Sequence, residues 1–69
     1  MTEFDYKLNG KLHEYKMRTG FKMHEIADRA GIEKQALYNF SSGNRSLKAE
    51  DTAKLMEELN LNVELTEKR

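Results

Sequence analysis

Residues 25–40 read EIADRAGIEKQALYNF, and a single glycine interrupts what is otherwise a continuous helical pattern. Ile26 lies on the apolar side of the first half, and Leu37 and Phe40 lie on one face of the second half. Gly31 stands between them, at the position where glycine commonly ends a helix because it adopts a positive φ without strain. The stretch therefore predicts two short helices joined by a tight turn.

The helical spacing of apolar residues continues on both sides of this stretch. It predicts helices over residues 7–18, 22–30, 34–42 and 47–60. The core-like spacing of three methionines indicates that they pack inside, namely Met17, Met23 and Met56. With 69 residues and no repeat or linker, the chain 1–69 is predicted to be one all-α domain, a compact bundle of four to five helices. Residues 22–43 form its helix-turn-helix, two helices joined by a short turn that contains glycine.

The two ends of the chain alternate apolar and polar residues, as half-buried strands do. The candidate strands are residues 3–8 and the tail 61–69. An isolated strand is unstable, so the two ends pair within one chain or the tails of two chains pair with each other. In the second arrangement, the dimerisation residues are Leu61, Val63 and Leu65. A last short helix that begins at Asn62 is the alternative to a C-terminal strand.

Composition excludes several classes of function. The chain has no cysteine, and His13 and His24 are too few for a zinc site, so neither a metal nor a cofactor is expected. It has no nucleophile motif and no phosphate-cradling glycine loop, so we do not expect an enzyme. No apolar run approaches the roughly 20 residues that span a membrane, and no signal segment opens the chain. A cytoplasmic location is therefore expected.

The formal net charge is zero, but the charges are unevenly distributed. Residues 1–48 hold nine Lys and Arg against six acids, whereas residues 49–69 hold three against six. A basic front orients a protein on a polyanion, although ordinary solvated faces would give the same count.

Residues 20–61, GFKMHEIADRAGIEKQALYNFSSGNRSLKAEDTAKLMEELNL, resemble the lambda-repressor-like (XRE-type) helix-turn-helix domains of Cro and the phage repressors. The elements EIADRAG and LMEELNL and the glycine after the third helix carry the resemblance, and LHEYK extends it to residues 7–61. The resemblance implies sequence-specific binding to double-stranded DNA by a transcriptional regulator. Such a protein is expected to act as a homodimeric repressor on an inverted-repeat operator. The ending LNLNVEL is similar to small antitoxin-type members, whose C-terminal strands pair between subunits.

The outward face of the third helix carries side chains that suit a DNA groove. If Leu37 and Phe40 point inward, helical geometry turns the polar residues of this segment outward. The candidate base-contacting residues are Lys34, Gln35, Tyr38 and Asn39. Each of the two amides offers a donor and an acceptor to adenine, and the lysine can donate to guanine. In the family that the chain resembles, these positions match the start and the exposed face of the recognition helix.

Phosphate contacts are expected beside this helix, where they position a domain without reading sequence. The candidates are Lys22, Met23, Ser42, Asn44, Arg45, Ser46 and Lys48. Main-chain N–H groups at the start of the second helix can bind a phosphate whatever side chain stands there. Arg45 is the leading candidate because it lies between a helix-ending glycine and a serine.

The sequence departs from the family pattern at two helix starts. Lys22 and Met23 stand where the family has a serine or threonine cap followed by glutamine, and Glu33 stands where a serine or threonine opens the recognition helix. A carboxylate at that point weakens DNA binding. The alternative function is an antitoxin-like or adaptor module that keeps the fold, binds DNA weakly or not at all, and takes a protein partner such as a toxin.

Overall fold

The computed structural model describes residues 1–62 and 64–66, which fold into a bundle of α-helices. The helices are α1 (Glu3–Thr19), α2 (Met23–Ala30), α3 (Lys34–Ser41) and α4 (Ala49–Glu58). α2 packs against both α3 and α4, and α1 packs against α3. The predicted all-α fold class is confirmed over the described residues.

The first helix begins four residues earlier than the spacing of leucines predicts. Thr2 caps it: the main-chain N–H of Asp5 donates to the Thr2 hydroxyl over 3.1 Å, and the N–H of Thr2 donates to the Asp5 carboxylate over 2.9 Å. This reciprocal capping box satisfies main-chain groups that a helix start otherwise leaves without partners. The prediction of a strand over residues 3–8 is therefore wrong, because local capping outweighs a short apolar-polar alternation.

The turn between α2 and α3 is set by Gly31, whose φ is 77°. Its N–H donates to the Ala27 carbonyl over 2.9 Å, and the N–H of Ile32 reaches the same oxygen over 2.9 Å. These bonds close the end of α2 in the left-handed conformation that glycine adopts without strain. Ile32 is then directed into the core, where it is only 5% exposed.

The core draws at least one apolar side chain from each helix. The side chains with no exposed surface are Leu8, Leu12, Ile26, Ala27, Leu37, Phe40 and Leu55. Met23 is buried and Met56 packs against the core, but Met17 is 86% exposed, so its predicted packing role is wrong. Position 17 comes nine residues after Leu8, which places it on the opposite side of a helix with about 3.6 residues per turn.

Residues 61, 62 and 64–66 fold back onto the helices and do not form a strand. Leu61 is 4% exposed and Leu65 is 6% exposed, and both belong to the apolar core of the same chain. The Asn62 side-chain oxygen accepts from the N–H groups of Glu64 and Thr66 and holds the turn. Leu61 forms an isolated β-bridge, and no strand or fifth helix occurs within residues 1–62 and 64–66. The predictions of a C-terminal strand and of a helix from Asn62 are therefore wrong for these residues.

A half-buried carboxylate ties three helices together behind the α2–α3 turn. Glu58 of α4 accepts from the Tyr15 hydroxyl of α1 over 2.6 Å and from Nε of Arg29 of α2 over 2.8 Å. Burial opposes ionisation of Glu58, but these two donors outweigh it, and the pKa of this carboxyl lies below its ordinary value. The cluster fixes α2, and with it the turn that carries α3.

Candidate nucleic-acid interface

The two sides of α3 differ completely in exposure. Leu37 and Phe40 have no exposed surface, so the other side of this helix must face solvent. The four side chains predicted to contact bases lie on that outer side: Lys34, Gln35 and Tyr38 are exposed, and Asn39 is half-buried. They form one continuous polar surface, called here the α3 face.

Two amides of the α3 face are bonded to each other. Nε2 of Gln35 donates to Oδ1 of Asn39 over 3.3 Å, across one turn of the helix. This bond leaves Gln35 with its oxygen and one further N–H, which are the acceptor and donor that adenine requires in the major groove. Asn39 keeps two N–H donors, which suit guanine or the thymine carbonyl better than adenine.

The loop after α3 is bonded to the helix that precedes it. The main-chain N–H groups of Asn44 and Arg45 donate to the Asn39 carbonyl over 2.9 Å and 3.3 Å. The side chains of Asn44 and Arg45 are exposed, as is that of Ser42. The predicted phosphate-contacting residues of this loop are thus held next to the α3 face.

Ser46, by contrast, is engaged within the fold. Its hydroxyl donates to the Asp5 carboxylate over 2.8 Å, and Asp5 is only 7% exposed. The N–H of Thr2 is the main reason that the pKa of Asp5 lies below its ordinary value, and the Ser46 bond lowers it further, against the opposing effect of burial. Ser46 therefore anchors the loop to the start of α1, and its hydroxyl is not free for a phosphate.

At the start of α2, main-chain N–H groups can contact a phosphate, but the Met23 side chain cannot. Met23 is 7% exposed, so it can reach a phosphate only through its N–H. Lys22 precedes it, is exposed and makes no side-chain cap, and its own N–H donates to Glu25 over 2.9 Å. Because an ammonium group has no acceptor, only the glutamate half of a capping box forms here.

The start of α4 borders a groove beside the α3 face. This groove has a volume of about 390 Å³, and its lining includes Asn39, Arg45, Lys48 and Lys54. The acids Glu33, Glu50 and Asp51 also line it. Three cations and three acids thus line the groove, so their formal charges cancel.

α1 holds the carboxyl end of α3 through two side chains that the sequence pattern did not indicate. Nδ2 of Asn9 donates to the Ser41 carbonyl over 3.2 Å, and Nε2 of His13 lies 3.3 Å from the same oxygen. Their spacing of four residues could have shown that they share a face of α1. It could not have shown which carbonyl they reach, because that depends on how α1 crosses α3.

The residues predicted to mediate dimerisation are used inside the chain. Leu61 and Leu65 are buried in its own core, and Val63 lies outside the described residues, as does the rest of the tail at 67–69. Pairing between tails would require Leu61 and Leu65 to leave that core.

Comparison of the chain with protein-family models, with curated proteins and with solved structures finds no match. Among the described residues, no group of three or more His, Cys, Asp or Glu side chains is arranged as metal ligands, and none of the helices has the length and apolarity needed to cross a membrane.

Proposed function

We propose that this chain is a sequence-specific double-stranded DNA-binding protein of the lambda-repressor-like type. In this proposal α2, the Gly31 turn and α3 form a helix-turn-helix, and α3 is the recognition helix. The observation that carries the proposal is the α3 face, a continuous polar surface backed by the fully buried Leu37 and Phe40. An exposed polar face on a firmly anchored helix is what reading a major groove requires.

The bonding within the α3 face supports a definite division of roles. Gln35 retains the donor and acceptor for a bidentate contact with adenine, and Asn39 supports it from the next turn. Lys34, at the exposed first position of α3, donates to guanine or to a phosphate, and Tyr38 contacts a thymine methyl or a phosphate. These contacts would supply the sequence preference.

The phosphate contacts of the proposal lie on both sides of this face. The exposed side chains are Lys22, Ser42, Asn44, Arg45 and Lys48. Met23 contributes its main-chain N–H at the start of α2. These groups would position the protein on any sequence, and their cations would release counterions from DNA.

One such domain contacts few base pairs, so we propose that two chains bind together as a homodimeric transcriptional repressor. In lambda-repressor-like docking, two recognition helices enter successive major grooves about 34 Å apart on an inverted repeat. The proposed partner is double-stranded DNA, and the proposed location of the protein is the cytoplasm.

The direct test is binding of the chain to a pool of random duplex DNA over a series of salt concentrations. We expect the logarithm of the affinity to fall steeply and linearly with the logarithm of salt, because each neutralised phosphate releases counterions. Selection from the same pool should then return an inverted repeat. A chain that fails to bind duplex DNA even at low salt contradicts the proposal.

Two substitutions separate base reading from phosphate contact. Gln35→Ala should relax the preference at one base position by about 1–3 kcal/mol, whereas Arg45→Ala should weaken binding to all sequences alike and reduce the salt slope by about one. Lys11→Ala is a matched control, since it removes a cation from α1, and should leave the slope unchanged. A sequence-selective loss in Arg45→Ala would contradict its phosphate role.

The second candidate is an antitoxin-like or adaptor module that binds a protein such as a toxin. It is favoured by the zero net charge and by the exposed carboxylate of Glu33 at the start of α3. A module of this kind would show no salt-dependent affinity for duplex DNA, so the same titration distinguishes the two functions.

A further inference from the structure

One face of α1 is exposed along the whole helix and carries two large apolar side chains. Tyr6 is 60% exposed and Met17 is 86% exposed, the largest values among the exposed large hydrophobic residues. They belong to a row with the seven-residue spacing of a helix-packing seam: Glu3, Tyr6, Gly10, His13 and Met17. We call this row the α1 stripe.

Gly10 lies at the centre of the α1 stripe, and nothing in the described part of the chain explains a glycine there. Glycine is among the poorest helix formers, yet Gly10 stands in the middle of a 17-residue helix. It is absent from the glycines with positive φ, and a Cβ at this position would meet no atom within 4 Å. Neither backbone conformation nor crowding by residues 1–62 and 64–66 therefore requires glycine. The remaining use of a glycine on a helix surface is close approach of another backbone.

We propose that α1 packs antiparallel against α1 of a second copy of this chain, with the two helices crossing beside Gly10. In that register Met17 faces Tyr6 of the second copy, and Gly10 of each chain lies next to the point where the two helices cross. A methionine sulfur against an aromatic ring is a favourable contact, and a glycine lets the second helix approach closely. A parallel pair would instead set Glu3 against Glu3 and His13 against His13.

The charges that flank the α1 stripe favour the same orientation. Lys7 and Glu14 lie on one side of it, with side chains 65% and 71% exposed. The antiparallel register brings Lys7 of each chain next to Glu14 of the other, so both flanking contacts are between opposite charges. Each of these side chains already has an opposite charge on its own helix, Glu3 at 3.3 Å and Lys11 at 3.6 Å. Two four-membered networks therefore form along the same flank, one toward each end of the pair.

A single pair of helices buries less surface than a standard stable interface, so we expect a weak, concentration-dependent dimer. This inference concerns self-association alone and holds whether or not the α3 face binds DNA. It also assigns the dimer to a surface that is exposed in the folded chain, unlike the buried Leu61 and Leu65.

The test uses the fact that the chain contains no cysteine. One sample carries Tyr6→Cys, a second carries Met17→Cys, and the two are mixed and oxidised without DNA. A disulfide requires Cα atoms within about 7 Å, and residues 6 and 17 of one helix are about 16 Å apart. In the antiparallel register we therefore expect mixed disulfides that join position 6 of one chain to position 17 of the other, identified by mass, and few disulfides in either sample alone.

A mixture of Gln35→Cys and Met17→Cys chains is the matched control, because it pairs the same probe with the α3 face. Mixed Tyr6→Cys and Met17→Cys disulfides no more abundant than in this control would overturn the proposal. Met17→Cys chains that mainly link to each other would overturn the antiparallel orientation.

Gly10→Ala is a second test, in which thermal stability and dimerisation should change in opposite directions. Alanine should raise the midpoint of thermal unfolding, because it is the better helix former. It should also weaken dimerisation several-fold in sedimentation equilibrium, because its methyl group keeps the two backbones apart. A Gly10→Ala chain that associates as strongly as the parent contradicts a close crossing at this residue.

Discussion

The amino-terminal ends of α1 and α2 are built in opposite ways. At α1 the Thr2 hydroxyl and the Asp5 carboxylate cap each other's main-chain N–H groups, and Ser46 adds a bond from a distant loop. At α2 the first residue before the helix is Lys22, which supplies no side-chain acceptor. Side chains therefore cap the first end, whereas no side chain caps the N–H groups in the first turn of α2.

α3 and α4 resemble α2 in this respect, since Glu33 and Lys48 precede them without forming a side-chain cap. A capped helix end joins parts of the fold, whereas an uncapped end is, in general, the kind of helix start that can bind an anion. The uncapped starts of α2, α3 and α4 belong to the same segments as the proposed DNA contacts. Four substitutions test this distinction.

Asp5→Ala should have the largest effect, because it removes the acceptor of both Thr2 and Ser46 at the capped end. We expect the free energy of unfolding to fall by roughly 2–3 kcal/mol, from the lost cap and the lost bonds to a charged group. Urea unfolding measures it. Glu3→Ala, an exposed acid two residues earlier, is the control and should change stability by no more than about 0.5 kcal/mol. Equal losses in the two variants would contradict a structural joint at Asp5.

Asp5→Asn should have a smaller effect at neutral pH and should change the response to acid. The pKa of Asp5 is lowered on folding, so its ionised form contributes stability above the ordinary value of 3.8, and that contribution is lost as the pH falls below it. The parent chain should therefore lose more stability between neutral pH and pH values below 3.8 than the Asn variant does. Thermal unfolding at several pH values measures this, and parallel curves would exclude Asp5 as a source of the acid sensitivity.

Lys22→Ser gives the uncapped end of α2 a side-chain cap. A serine cap should raise the free energy of unfolding by about 1 kcal/mol. Under the proposed function the same change removes a phosphate-contacting cation, so the slope of affinity against salt should decrease by about one. Stability and DNA binding thus move in opposite directions. A gain in both would show that Lys22 contributes nothing to DNA binding.

Glu33→Gln should have the smallest effect on stability. A carboxylate at a helix start interacts favourably with the helix dipole, so its loss should cost about 0.3–0.5 kcal/mol. The proposed function predicts that DNA affinity rises, because the carboxylate no longer repels nearby phosphates. Fluorescence anisotropy on the selected operator measures the change, and an unaltered affinity would place Glu33 away from the DNA.

Local signals in the sequence predicted the middle of the molecule well. The glycine at 31 and the apolar spacing around it gave α2 and α3 to within a residue or two, because capping and helical periodicity are local properties. The same reasoning failed at both ends. Residues 3–8 and 61–66 carry an alternating pattern of apolar and polar residues. A pattern this short is a weak signal, and a helix cap outweighs it at residues 3–8, as core packing does at residues 61–66.

The candidate site was predictable in part. Once Leu37 and Phe40 were placed inside, the outward position of the four α3 residues followed from helical geometry. The bond between Gln35 and Asn39 and the clamp of Asn9 and His13 on the Ser41 carbonyl were not predictable. Side-chain partners across 28 or 32 residues depend on how helices cross, which no local pattern encodes.

The sequence by itself determined the helical class, the turn at Gly31 and the outward face of α3, because each depends on the conformational preferences of neighbouring residues. Only the tertiary structure decided where Leu61 and Leu65 lie, what Ser46 does and which face of α1 remains uncovered. Leu61 and Leu65 gain more from burial in the chain's own core than from an exposed alternating strand. Burial depends on the space left between packed helices, and that space exists only once the chain has folded.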